Sequence, residues 1–90
     1  MAHTVKFSKK AEKNLQKIDK FQAKLIYNWI ENNLDGCKNP RAIGKPLTAN
    51  LQGYWRYEIG KYRIICDIQD DVCVVLVVKI GHRREVYYGV

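Results

Sequence analysis

The sequence predicts an α+β fold in which a two-helix hairpin packs on one face of an antiparallel four-stranded sheet. Three observations support this β-α-α-β-β-β order with a short C-terminal tail. Apolar residues recur at helical spacing early in the chain, two strand-like runs flank a glycine turn, and residues 72–80 are nearly continuously apolar. The 90 residues suffice for one small core, so we expect a single domain spanning residues 1–90.

The chain begins with a predicted strand and a helix start. Residues 3–7 alternate between polar and apolar side chains, which predicts a strand with Val5 facing inward, joined by His3 and Phe7. Ser8 follows at a position typical of a helix N-cap.

Two apolar stripes predict two helices. The phase of the apolar spacing changes at Asp19-Lys20, which indicates a turn or kink between them, and Asp35-Gly36 ends the second helix. Each helix then has an apolar face to bury against the sheet. These faces consist of Ala11, Leu15 and Ile18 in the first helix, and Phe21, Leu25, Ile26, Trp29, Ile30 and Leu34 in the second.

A β-hairpin follows at residues 54–67. Gly60-Lys61 is a Gly-X pair suited to a two-residue hairpin turn, and pairing across it sets Glu58 directly opposite Arg63. Strand alternation then separates two sets of side chains. The face that the helices leave free holds the charged set, Arg56, Glu58 and Arg63, whereas the core face holds Trp55, Tyr57, Ile59, Ile64, Cys66 and Ile68.

The last predicted strand is central in the sheet. Asp70-Asp71 marks a tight turn, and the run at residues 72–80 is interrupted only by Lys79. A strand that is apolar on both sides is typical of a central position. Arg83-Arg84 follow where this strand ends, near the hairpin turn.

The charge and the cysteine content indicate what kind of partner the protein binds and argue against some kinds of site. The net charge is +7, of which residues 36–66 contribute +5, so a polyanionic partner is favoured. Three cysteines without CxxC spacing argue against a metal site or a disulfide framework, and we expect buried, reduced thiols at Cys37, Cys66 and Cys73. No signal peptide is visible and the longest apolar run is too short to span a bilayer, so we expect a cytoplasmic protein.

The charged face has the chemistry of a phosphate site. Guanidinium groups bind phosphate oxygens in a bidentate manner and stay charged at any working pH. Tyrosines beside them offer stacking surfaces for unpaired bases, the usual mode of single-stranded RNA recognition. An ordinary cross-strand ion pair would account for Glu58 and Arg63, but it leaves Arg56, Arg83 and Arg84 unexplained.

The chain resembles a known family at these residues. The segment from Gly44 to Asp67, which includes Tyr62-Arg-Ile-Ile-Cys66, and the ending Gly81-His-Arg-Arg-Glu-Val-Tyr87 are similar to the RelE/ParE superfamily of bacterial toxins, closest to the RelE branch. The resemblance extends to length, element order and basic charge. It implies a RelE-like fold and a toxin of a type II toxin–antitoxin pair, held inactive by a RelB-like antitoxin.

The resemblance also implies an activity and a set of site residues. RelE-like toxins enter the ribosomal A site, contact the ribosome and its 16S rRNA, and cleave mRNA without a metal or other cofactor. The implied catalytic residues are Arg56, Glu58, Arg63, Arg83 and Tyr87. We expect further RNA contacts from Lys45, Lys61, Tyr62, His82 and Arg84.

The general base stays open, because two positions depart from the family pattern. Arg56 and Glu58 occupy positions where RelE toxins carry lysines. A guanidinium does not release its proton near neutral pH, and a carboxylate opposite a cation is a weakened base. His82 is a second titratable candidate, and Tyr87 is a candidate for stacking or for proton donation.

Two alternative functions remain. A ParE-like protein with the same fold would bind DNA gyrase and have no catalytic activity of its own. An inactive homologue would keep only antitoxin binding, and Glu58 at a usually basic position is the reason to retain that hypothesis.

Overall fold

The computed structural model describes residues 2–84, in which two helices lie against a five-stranded sheet. The helices are α1 (Lys9–Lys17) and α2 (Lys20–Asn33), and short 3₁₀ turns occupy Pro40–Ala42 and Ala49–Leu51. The strands are β1 (Thr4–Phe7), β2 (Lys45–Pro46), β3 (Trp55–Ile59), β4 (Tyr62–Gln69) and β5 (Val74–His82). Over these residues, neither helix has the length and apolarity that crossing a membrane requires.

The sheet confirms the predicted α+β class but is mixed rather than antiparallel. Its strand order is β1-β5-β4-β3-β2, and β1 pairs with β5 in parallel. The fifth strand is the two-residue β2, which pairs with β3 at the opposite edge. β5 lies between β1 and β4, which confirms the predicted central position of the apolar run.

Side-chain caps fix where the helices begin. Ser8 Oγ accepts a hydrogen bond of 3.0 Å from the backbone N–H of Ala11, and Asp19 Oδ2 accepts one of 3.1 Å from that of Phe21. The predicted N-cap at Ser8 and the predicted break at Asp19 are therefore confirmed.

The core lies between the helices and one face of the sheet. It contains Ala11, Ile26, Ile30, Leu34, Tyr57, Ile64, Cys66, Val75, Val77 and Ile80, and Val5 and Phe7 pack against it. Where β1 ends, Asn14 of α1 takes over the edge of β5, since its Oδ1 accepts a 3.0 Å hydrogen bond from the backbone N–H of Ile80. The sheet thus has no unpaired backbone at that point.

Two predicted core residues are exposed instead. Phe21 and Leu25 are 66% and 45% exposed, and the helix buries Ile26, Ile30 and Leu34. Both sets recur every four residues, so periodicity alone could not show which one faces the sheet.

The loop before β3 is anchored at several points. The Tyr57 hydroxyl donates to the carbonyl of Pro40, and Trp55 Nε1 donates to that of Ile43 at 2.7 Å. Gly44 has a φ of +76°, and a Cβ there would collide with the carbonyl oxygen of Arg56. Only glycine lets the loop pass this close to β3 and then pair as β2.

The three cysteines differ in burial. All are free thiols, but only Cys66 is fully buried, while Cys37 and Cys73 are half-buried. The prediction of buried thiols is therefore wrong for the two that lie in loops.

Candidate active site

The charged pair at the centre of the site lies on neighbouring strands. The register of β3 and β4 places Ile59 opposite Tyr62 and Glu58 opposite Arg63, as the Gly60-Lys61 turn predicts. Arg63 Nη2 lies 3.1 Å from Glu58 Oε1, and Arg56 Nη2 lies 3.7 Å from the same oxygen. One carboxylate is thus shared by two guanidinium groups.

Both arginine side chains are largely covered by their surroundings, since they are only 22–23% exposed. Ile65 lies on the same side of the sheet, directly opposite Arg56 and two residues after Arg63 on β4, and is 0% exposed. We call this side of the sheet the open face, and it consists of Lys45, Arg56, Glu58, Arg63 and Ile65. Its charged side chains therefore pack beside a buried apolar side chain. The alternation of side chains along β4 puts Ile65 on this face, but alternation alone does not show that Ile65 is buried.

Two further cations border the arginines. Lys45 of β2 is paired directly opposite Arg56, so both belong to the open face. At the other end, the backbone N–H of Arg83 donates a 2.9 Å hydrogen bond to the carbonyl of Lys61 in the hairpin turn. Arg83, Arg84 and Lys61 are exposed there. The structure thus gathers Lys45, Arg56, Glu58 and Arg63, with Arg83 at the rim.

Tyr62 and His82 do not belong to this group. They are paired opposite each other, and Tyr62 packs against the core with its partner Ile59, so both lie on the helix side of the sheet. Their rings meet edge to face, with centroids 6.1 Å apart. His82 Nδ1 also accepts a 3.2 Å hydrogen bond from the backbone N–H of Arg84. Tyr87, the remaining predicted catalytic residue, lies outside the described residues.

A cavity beside the open face was not anticipated. It has a volume of about 450 Å³, and we call it the edge cavity. Its walls are the rings of Trp29 and Tyr57 together with Ile43 and Gly44, and its rim carries Asn33 and Lys45. Arg56 and Glu58 line it too, so it adjoins the candidate site. These residues come from a helix, a loop and a strand, and no spacing in the sequence links them.

One ionisable side chain of the edge cavity, the phenol of Tyr57, is affected by burial. Burial raises the pKa of the Tyr57 phenol well above its usual value, so this hydroxyl remains a neutral donor to Pro40. Among residues 2–84, no three His, Cys, Asp or Glu side chains are grouped so that they could hold a metal ion. The open face therefore offers fixed positive charge, one shared carboxylate and a neighbouring cavity.

A comparison with models of protein families shows which family the chain belongs to. The model of the "ParE toxin of type II toxin-antitoxin system, parDE" matches residues 5–87. The chain belongs to this family. The chain is therefore a toxin of a type II toxin–antitoxin system, and its predicted membership of the RelE/ParE superfamily is confirmed.

Individual relatives of this ParE-family chain agree with that assignment. Toxin RelG of Mycobacterium tuberculosis is 28% identical over 87 residues, 97% of this chain and 98% of that protein. The toxin-antitoxin complex RelBE2 from the same organism contains a chain with a TM-score of 0.83 and 26% identity, and the match covers 92% of this chain and all of that one.

More distant structures share the fold. In the archaeal RelE-RelB complex from Pyrococcus horikoshii, the matched chain has a TM-score of 0.69 and 24% identity, covering 96% of this chain and 100% of that one. The intact E. coli RelBE complex gives a TM-score of 0.68 at 17% identity, with 90% and 96% covered. The predicted RelE-like fold is confirmed.

Proposed function

We propose that this toxin is an endoribonuclease that cleaves mRNA in the ribosomal A site without a metal ion, and thereby inhibits translation. The observation that carries the proposal is the gathering of Lys45, Arg56 and Arg63 on one face of the sheet, with Arg83 at its rim. The relatives named RelG and RelBE2, both of the RelE type, support the same branch.

The arrangement suits attack of a ribose 2′-oxygen on the adjacent phosphate. In that reaction the 2′-hydroxyl gives its proton to a base and the 2′-O–P bond forms as the bond to the 5′-oxygen breaks. Negative charge grows on the phosphate oxygens, and the leaving 5′-oxygen takes up a proton. Arg63 and Arg56 would neutralise this charge, because guanidinium groups match phosphate geometry and the open face holds them in place. Arg83 would contact the phosphate from the rim.

Proton transfer is the step most affected by the replacement of the RelE lysines with Arg56 and Glu58. Glu58 is engaged by both arginines, so we assign it the role of orienting them. His82 lies on the opposite side of the sheet, which argues against it as the general base. Tyr87 remains our candidate proton donor to the leaving 5′-oxygen.

The partners follow from the same proposal. The matched chains from M. tuberculosis and P. horikoshii come from toxin–antitoxin complexes, so we propose a RelB-like antitoxin that inhibits this toxin in a hetero-oligomer. The ribosome, with its 16S rRNA, would supply the mRNA, which places the action in the cytoplasm.

The test is a primer-extension map of mRNA in translating extract, with and without ribosomes. Wild-type toxin should cut mRNA only when ribosomes are present. The Arg63→Ala, Arg83→Ala double variant should be folded and inactive. Lys13→Ala, which removes an exposed cation from α1, is the control and should cut normally. Cleavage by the double variant would refute the proposal.

A ParE-like gyrase inhibitor is the second candidate, because the matching family model is that of ParE toxins. A DNA supercoiling assay with purified gyrase separates the two functions. Inhibition of supercoiling without mRNA cleavage would favour the gyrase hypothesis. Absence of both activities, with antitoxin binding intact, would favour an inactive homologue.

A further inference from the structure

The proposed cleavage needs a group that takes the proton of the 2′-hydroxyl, and the charged side chains of the open face are poorly suited to this. The guanidinium groups of Arg56 and Arg63 keep their protons near neutral pH. Both approach the carboxylate of Glu58, to 3.7 and 3.1 Å, so this carboxylate is already engaged by two cations. His82 lies on the other side of the sheet. An acceptor on β5 that faces the same side as the arginines would meet the requirement.

Lys79 of β5 adjoins the open face on the same side of the sheet. In the sequence, this lysine interrupts an otherwise apolar run. The register pairs Lys79 with Ile65, and Gly81 with Arg63. Directly paired residues of antiparallel strands point to the same side, so the side chains of Lys79, Ile65 and Arg63 lie together. The intervening residue, Ile80, belongs to the core on the helix side.

The pairing across three strands places Lys79 beside a nucleotide that the arginines would bind. Ile65 is paired with Arg56 on one side and with Lys79 on the other, so two cations flank this buried side chain. Arg63 is a diagonal neighbour of Lys79, and diagonal neighbours lie about 7–8 Å apart, within reach of long side chains. A phosphodiester held above Ile65 by Arg56 and Arg63 would therefore have the Lys79 amine on its third side.

The surroundings of Lys79 favour the neutral form of its amine. Its side chain is half-buried, and burial is the main cause that lowers the pKa of Lys79 below its ordinary value of 10.5. The positive charge of Lys10 lowers it further. Lys10 lies at the start of α1, where Ser8 Oγ donates a 3.0 Å hydrogen bond to the carbonyl of Val78 and so holds the helix against β5. An amine that loses its proton more easily is better suited to act as a base.

Two charged residues of β4 lie on the same side of the sheet as Lys79. Arg63 is a further cation. Asp67 is an acid, but it lies beyond the β-bulge between the two strands, and its Oδ2 accepts a 3.0 Å hydrogen bond from Gln69 Nε2. The balance of these surroundings favours the neutral amine, because the pKa of Lys79 is lowered overall.

We propose that Lys79 is the general base of the cleavage reaction and takes the proton of the ribose 2′-hydroxyl. The neutral amine becomes an ammonium group as the 2′-O–P bond forms. The bond from phosphorus to the 5′-oxygen breaks, Tyr87 protonates this oxygen in the role proposed above, and the products are a 2′,3′-cyclic phosphate and a 5′-hydroxyl. Lys79 then releases its proton to solvent and Tyr87 takes one up. This assignment rests on the proposed nuclease function.

Two substitutions at Lys79 separate proton transfer from simple charge. Lys79→Arg keeps a positive charge on a group that does not release its proton near neutral pH, whereas Lys79→Gln removes the charge. Single-turnover cleavage of mRNA on ribosomes should fall by about 10²–10⁴-fold in both variants, the usual contribution of a general base. Lys13→Arg makes the same change on the exposed surface of α1 and should cleave at the wild-type rate. Cleavage by Lys79→Arg at the wild-type rate would overturn the assignment, because charge alone would then suffice.

Binding is measured separately from cleavage. An mRNA with 2′-deoxyribose at the cleavage site lacks the attacking oxygen, so toxin can bind ribosomes carrying it without cutting. Lys79→Arg should bind these ribosomes with nearly the affinity of wild type, and thermal melts should show that it is folded. A loss of affinity large enough to account for the lost cleavage would also overturn the assignment. Failure of wild-type toxin to cut any mRNA would overturn the nuclease proposal itself, whereas normal cleavage by Lys79→Arg would overturn only the role of Lys79.

Discussion

The two faces of the β3–β4 hairpin differ in chemistry although they share a backbone. On the helix side, Tyr57 and Ile64 are 1% and 0% exposed and belong to the core. On the open face, Arg56 and Arg63 share the carboxylate of Glu58, yet Ile65 beside them is also 0% exposed. The open face is thus not simply a solvated surface. It is a charged site built over a buried side chain.

This difference shows how a small sheet can hold several like charges in place. A cation on a flexible side chain loses conformational entropy when it binds phosphate, and packing reduces that cost in advance. Arg56 and Arg63 are only 22–23% exposed, and their guanidinium groups converge on one oxygen. We therefore expect stability and candidate activity to depend on both faces, through different residues.

The largest expected effect comes from truncating the two neighbouring isoleucines. Ile64→Ala should lower the free energy of unfolding by about 2–5 kcal/mol, the usual cost of a cavity in a core. Because Ile65 is equally buried, Ile65→Ala should have a cost in the same range, although it faces the charged side. Urea denaturation of both variants measures this.

Val72→Ala, at an exposed position, serves as the control and should change stability by less than about 0.5 kcal/mol. A similarly small effect of Ile65→Ala would show that the Ile65 side chain does not contribute to stability as a core residue does.

The sequence predicted most of the β3–β4 hairpin but little of the pairing at the edges of the sheet. The Gly60-Lys61 turn and strand alternation were enough to set Glu58 opposite Arg63, because the register of a two-residue hairpin is local. The parallel pairing of β1 with β5 was not predicted. It joins residues about seventy positions apart, and no turn sets their register.

The site was predicted less completely than the fold. Strand alternation predicts Arg56, Glu58 and Arg63 on one face. Tyr62 is predicted as a stacking ring and His82 as a titratable group, but both lie on the other side of the sheet. The edge cavity brings together α2, a loop and β3, and only tertiary packing creates it. Membership of the family was recognised from motifs rather than from geometry.

The next expected effect lies at the edge where the two faces meet. Gly44→Ala places a Cβ against the Arg56 carbonyl, 2.7 Å from Trp55 Nε1 and 2.8 Å from Tyr57 Cδ1. Gly36 is the matched control, since its φ of +81° is close to the +76° of Gly44 but no atom lies within 4 Å of its added Cβ. Both variants carry backbone strain, and Gly44→Ala should cost about 1–3 kcal/mol more from overpacking. Equal melting temperatures would mean that the loop moves freely away from β3.

A smaller effect distinguishes the two roles of Glu58. Glu58→Gln removes a half-exposed ion pair, which should cost about 0.2–1 kcal/mol of stability. If Glu58 only orients the arginines, cleavage in the ribosome assay should fall by less than about tenfold. A loss of roughly 10²–10⁴ would identify Glu58 as the general base instead. Glu12→Gln, on the exposed surface of α1, controls for the loss of one negative charge.

The smallest effect is expected at the end of the sheet opposite the Gly60-Lys61 turn. Arg41 Nη1 lies 3.0 Å from the Asp70 carboxylate, and His3 Nε2 lies 3.4 Å from it, so this carboxylate ties the N-terminus and the loop to the β4–β5 turn. The hydrogen bond from Arg41 is the main cause that holds the pKa of Asp70 below its ordinary value of 3.8.

Because the folded-state pKa of Asp70 is lowered, its contribution to stability is present above pH 3.8 and is lost as the pH falls through the lower folded value. The melting temperature of Asp70→Asn should therefore lie below that of wild type at about pH 6 and approach it at about pH 3. The effect should be small because the carboxylate is 61% exposed. Asp71→Asn removes the same charge one position away and controls for the change in net charge. If the difference in melting temperature between Asp70→Asn and wild type did not change with pH, the Arg41–Asp70 contact would not contribute to stability, and the loop carrying Gly44 would depend on its contacts with β3 alone.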